Sequence, residues 1–170
     1  MAILPILTAP DKRLKEISQP VVRVDAGIRQ LMDDMLETMY HAPGIGLAAP
    51  QVGVLQRVIV VDLSRDPEVS WQGPLCLANP EIIRAQGEIC WEEGCLSVPE
   101  SLGEVTRFNQ ILVRGLGRDG QVVDVEAEGL FAVCLQHEID HLDGILFIDR
   151  LSRLKRELVL KKLKKLKERA

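Results

Sequence analysis

Apolar residues along the 170-residue chain change period several times, and each change marks an expected element. Ile28, Leu31, Met32, Met35, Leu36 and Met39 recur at helical spacing after Asp25, a side chain suited to cap a helix start. That spacing predicts a first helix ending near Pro43 and Gly44. The small-residue loop GIGLAAPQVG follows, from Gly44 to Gly53. Arg57 to Leu63 (RVIVVDL) is rich in β-branched residues and predicts a buried strand. The middle of the chain is strand-like and broken by turns, in the stretches LCLANP, EIIRA and EICW. ILVRG and VVDVEAEG flank Asp119-Gly120, a strong hairpin signal. After Gly129 the period lengthens again. Leu130, Val133, Cys134, His137 and His141 keep helical spacing, with no breaker before Gly144. From Asp149 onward, Leu151, Leu154, Leu158, Val159, Leu163 and Leu166 line one face of a last helix. The order is helix, many strands, helix, helix. It predicts an α+β fold with mostly antiparallel sheets around the central helix, flanked by an N-terminal and a C-terminal helix.

Length and composition narrow the class. Residues 1–170 fit one domain with a core that needs no staples. No stretch approaches the ~20 apolar residues of a membrane span. Met1 to Leu7 is apolar but lacks a charged start and meets Pro5 and Pro10, so no secretion signal is expected. The four cysteines, Cys76, Cys90, Cys95 and Cys134, are therefore expected as reduced thiols in a bacterial cytoplasm. The net charge of −4 gives no general case for DNA. Charge is unevenly placed, however. Arg150 to Ala170 carries ten Lys and Arg against two acids, whereas the rest carries eleven against twenty-three. A solvated face over a leucine stripe is the simplest use of that basic helix.

The chemistry concentrates in LQHEIDHLDG, Leu135 to Gly144, which holds two of the three histidines. On a helix, positions four apart lie about 40° apart in angle and one turn apart in height. His137 and His141 can thus reach one ion. Glu138 stands to the side, where a carboxylate can take a proton from water. A buried Glu and two buried His without partners would be costly in so apolar a helix, which favours a metal site.

The third ligand is not downstream. The extended H-E-x-x-H-x-x-G-x-x-H pattern fails at Phe147, and the downstream glutamates Glu157 and Glu168 lie in the basic helix. Cys134 sits on the same helix as the histidines and reads as a buried small apolar residue, and Cys76 reads as core. Cys90 and Cys95 remain. Both together would close a Cys₂His₂ structural zinc site and leave Glu138 without a task. Cys95 in the turn-like EEGCLSVPE segment, with His137, His141 and one open position, is the better fit. A different metallopeptidase and a non-enzymatic zinc domain are the competing readings at this point.

Three segments then line up. GIGLAAPQVG, EGCLS (Glu93 to Ser97) and QHEIDH (Gln136 to His141) resemble, in order, the three signature motifs of peptide deformylases. The opening ILTAPDKRLKE also resembles that family's N-terminal stretch. The resemblance implies hydrolytic removal of the N-formyl group from the formylmethionine of nascent chains. It assigns Cys95, His137 and His141 to a divalent metal, with Fe(II) often native and zinc, nickel or cobalt able to substitute. It gives Glu138 general acid/base work, and Gln51 and the Leu96 N–H the developing oxyanion. It implies an apolar methionine pocket from Ile45, Leu130, Val133, Cys134 and the faces near Glu93 and His137, with Trp91 at the rim. The glycines of GIG permit close backbone approach, so a peptide can pair strand-like near Ile45 and Gly46. Asp140 reads either as a support for a ligand or as a salt-bridging surface residue. For the basic helix of residues 150–170, the resemblance adds contact with the ribosome.

Overall fold

The Asp25 carboxylate accepts the Ile28 N–H at 2.9 Å and starts helix α1, Ala26–His41, as its residue type predicts. Removing that cap in Asp25→Ala should cost about 1 kcal/mol of folding stability, read from chemical denaturation. The computed structural model describes residues 2–169. The C-terminal Ala170 of the predicted last helix lies outside them.

Beyond α1 the chain forms strands β1 (Gly46–Ala48), β2 (Val58–Val61), β3 (Leu75–Gln86), β4 (Ile89–Cys95), β5 (Val98–Arg107), β6 (Gln110–Leu116) and β7 (Val122–Glu128). Helix α2, Leu130–Leu142, and helix α3, Arg153–Arg169, complete it. Five strands form one antiparallel sheet in the order β1-β2-β3-β6-β7, and β4 and β5 form a separate antiparallel hairpin. The α+β class and the helices at both ends of the order are as the sequence predicts.

The run VIVV of β2 is apolar on both faces because both faces are covered. Ile59 and Val61 join Leu77, Val113 and Val125 against Phe131, Leu135, Ile139 and Leu142 of α2. Val58 and Val60 point the other way, onto Met32, Met35 and Met39 of α1. A third cluster joins Val98 and Val105 of the hairpin to Phe147, Ile148 and Leu163. Phe131 to Leu142 of α2 are all buried as a result.

Three boundaries differ from the sequence expectation. LCLANP and EIIRA are one strand, not two. Irregular register between Ala78 and Glu81 absorbs the Asn79-Pro80 break, and the Asn79 amide holds Val21 through both its N–H and its oxygen. EICW extends through Cys95, so most of the segment expected as a turn is strand. The last helix begins at Arg153, after a 3₁₀ turn over Phe147–Arg150. Its leucine stripe is only partly used. Leu163 is buried, whereas Leu154 and Leu158 are 68% and 59% exposed.

Candidate metal centre and cavity

Helix α2 carries two imidazoles and a carboxylate into the interior because it is packed on every side, every position from Phe131 to Leu142 being buried. His137, Glu138 and His141 are all buried. Opposite them, β4 ends on Cys95. The Cys95 sulfur and one nitrogen from each histidine lie within 4.8 Å of one another, and Sγ is 3.4 Å from His141 Nε2. One thiol and two imidazoles suit zinc or Fe(II), and the separations let one ion sit among them.

The sulfur is embedded in donors. The Gln51 side-chain nitrogen lies 3.6 Å from it and the Ser97 N–H 3.4 Å from it. The Gln51 orientation is fixed at its other end, where its oxygen accepts the Ala48 N–H at 2.9 Å. Its NH₂ group therefore faces Cys95 and the Ser97 hydroxyl. Leu96 follows in the turn, and its N–H enters no hydrogen bond among the described residues.

Glu138 places Oε1 4.0 Å from His141 Nε2, buried and without a hydrogen-bond partner among the described residues. Burial pushes its pKa up to about 7, with Glu93 and Asp140 adding to the rise and His137 and Arg107 opposing it. Burial, with the charges on His137 and Arg107, holds His141 well below the ordinary imidazole range, so it is neutral. For His137, burial acts downward, but Cys95 and Glu93 beside it outweigh burial and raise it.

Gly46 is required here for a reason that the sequence did not give. A Cβ at this position would meet Glu138 Oε2 inside any normal contact and lie 3.0 Å from Cys134 Sγ. The close approach is to the protein's own carboxylate.

A cavity of about 650 Å³ opens beside these groups. Ile45, Leu130, Val133 and Cys134 line it, as do Gly46, Gln51, Cys95, Leu96, His137 and Glu138, and Trp91 stands at its rim. All twelve predicted site residues except His141 face this cavity, and His141 lies behind it, against the sulfur. A groove of about 690 Å³ lies across β6 and β7 and carries no Cys or His. Cys95, His137 and Glu138 line the first.

Other candidates separate cleanly. Cys90 is exposed and contacts Thr106, outside the cluster, which removes the closed Cys₂His₂ alternative. Burial, with Glu138 and Glu93 nearby, keeps the Cys134 thiol protonated. Glu157 pairs with Arg153 on the surface.

The matches to known proteins follow the same geometry. A family model described as polypeptide deformylase covers residues 3–157. The chain belongs to that family. Among curated peptide deformylases it is 58% identical to one from Phenylobacterium zucineum over 166 residues, which cover 97% of each chain. It is 55% identical to one from Methylocella silvestris over 97% of this chain and 85% of that one. A crystal structure of peptide deformylase from Ehrlichia chaffeensis aligns with TM-score 0.92 at 42% identity, covering 98% of each chain. A second from that organism, in complex with actinonin, aligns with TM-score 0.93 at 44% identity over the whole of both chains.

In this deformylase-family chain, Glu93 of the EGCLS segment is tied into a wider set of charged and aromatic residues beside the centre, the buried Arg107 and Phe147 and the partly exposed Arg150. Glu93 Oε1 lies 2.9 Å from His137 Nδ1, and Arg107 forks onto the same carboxylate at 2.5 and 2.9 Å. Burial pushes the Glu93 carboxyl up, but Arg107 and His137 together hold it below the usual carboxylate range. Arg107 also donates to Asp140 at 2.9 Å, and Arg150 forks onto Asp140 at 2.7 and 2.8 Å. Asp140 is thus the salt-bridging residue, and Glu93 is the carboxylate that holds the His137 ring. Phe147 stacks on the His137 ring at 6.2 Å. Arg107 lies outside the three motifs, and Phe147 and Arg150 follow the last of them at positions that no periodicity or residue pattern marks.

Proposed function

We propose that the chain removes the N-formyl group from formylmethionine at the start of nascent polypeptides and releases formate. The observation that carries this reading is the three-ligand cluster with the unpartnered Glu138 carboxylate beside it. Cys95, His137 and His141 would hold one divalent ion. Fe(II) is the proposed native metal, and zinc, nickel or cobalt can take its place. The ion supplies a Lewis acid that polarises the formyl carbonyl and eases deprotonation of water.

The protein's own groups do the rest. Glu138, a buried carboxylate beside the cluster, accepts the proton of the attacking water. It then hands the proton to the departing amine. The Gln51 NH₂ and the Leu96 N–H donate to the developing oxyanion, one such donor being worth about 3 kcal/mol. Ile45, Leu130, Val133 and Cys134 receive the methionine side chain, with Glu93 and His137 at its walls. Strand β1 ends the five-stranded sheet and lines the cavity, so a peptide can add to it beside Gly46. The fit of actinonin to a relative 44% identical agrees with a peptide-shaped cleft.

No described helix is long and apolar enough to cross a membrane. A cytoplasmic, bacterial setting is proposed with the substrate. The basic helix α3 is proposed to contact ribosomal RNA, with Leu154 and Leu158 exposed among its cations. Removing residues after Ser152 should lower ribosome co-sedimentation at low salt, and unchanged binding would reject that contact.

Formate release from formyl-Met-Ala-Ser tests the main reading. Turnover of the formylated peptide and none of the unblocked peptide is expected. Cleavage of unblocked peptides would instead indicate a general metallopeptidase. Activity lost in air and kept under anaerobic conditions would identify Fe(II).

A further inference from the structure

The geometry points to Arg150 as a positioning residue for His137, acting through Asp140, Arg107 and Glu93. This rests on the reading of Cys95, His137 and His141 as metal ligands. Arg150 touches none of them. It closes the 3₁₀ turn before α3 and binds Asp140 with both Nε and Nη2. That fork fixes direction as well as distance.

Charge balance gives the fork its role. Arg107 is nearly inaccessible and lies between two carboxylates, Glu93 and Asp140. One guanidinium cannot neutralise both. Arg150 supplies the second positive charge, so two anions face two cations beside the metal ligands. Without it, Asp140 has only Arg107 to balance it and draws that guanidinium away from Glu93. Glu93 sets the Nδ1 side of His137, so slack at Asp140 passes to the ligand ring. The same turn presses Phe147 on that ring, so one short segment holds His137 by packing and by charge.

The test uses nickel-loaded full-length protein and an excess of chelator, with nickel release followed over time. Arg150→Met is expected to release nickel about tenfold faster than wild type and to lower kcat with little change in KM. Adding Asp140→Asn should recover most of the loss, because Glu93 and Arg107 then balance alone. Arg118→Met removes an exposed ion pair with Asp33 remote from the site and should leave nickel release unchanged. Wild-type retention in Arg150→Met would overturn the inference. So would a double variant no better than the single one. A wild type that holds no nickel would overturn the metal reading itself, and this inference with it.

Discussion

Glu138→Gln is expected to lower kcat for formate release by about 10²–10⁴-fold, the usual contribution of a positioned acid/base group. Glutamine matches the shape of the side chain but accepts no proton from water. The same change should act in the opposite sense on folding of the metal-free protein. Burial raises the Glu138 pKa from 4.5 to about 7. A carboxyl whose folded pKa is raised costs nothing at pH well below 4.5, where both states are protonated. The cost grows as pH climbs and is complete above about 7. It amounts to roughly 3 kcal/mol at most. The stability of Glu138→Gln relative to wild type should therefore improve from pH 5 to pH 8 in metal-free samples. Denaturation midpoints at the two pH values check it. A stability difference that does not change with pH would mean that the carboxylate is better solvated than its burial indicates.

The second large effect is expected at Gly46. Its Cα lies against the Glu138 carboxylate, and Cys134 closes the remaining space. A methyl group there must push Glu138 aside, since α2 is enclosed on all sides. A displacement on the order of 1 Å in a reacting group costs about 10²-fold. Gly46→Ala should thus lose about that factor in kcat while binding metal as wild type does, because no ligand atom is touched. Nickel content and kcat measured on one preparation check both halves. Full activity would place the reacting carboxylate elsewhere.

Much of this was legible in the sequence because it is written in local patterns. The helical spacing of His137 and His141 with Leu130, Val133 and Cys134 set both the helix and its burial. Asp25 capped α1, and Asp119-Gly120 closed the β6–β7 hairpin. The strand boundaries were less legible. Asn79-Pro80 normally ends a strand, yet β3 absorbs it through irregular register. Cys95 looked like a turn residue because glycine and charged residues surround it, although it ends a strand.

What could not be read is what depends on the fold bringing distant residues together. Arg107, Asp140 and Arg150 form one network with Glu93, from two strands, a helix and a 3₁₀ turn. No period relates them. Gly46 was legible as a close-approach residue, but its neighbour was not, since Glu138 lies far along the chain. The leucines of α3 followed a correct helical period, yet a period does not say how much of a face finds a partner. Only the Leu163 region packs on the hairpin.

The central claim is that Cys95, His137 and His141 hold the one metal on which formate release depends. Metal content and formate release measured together on wild type and His141→Ala test it most directly. The expected result is about one divalent ion per wild-type chain, and loss of both metal and formate release in the variant. A His141→Ala protein that releases formate at the wild-type rate without bound metal would contradict it.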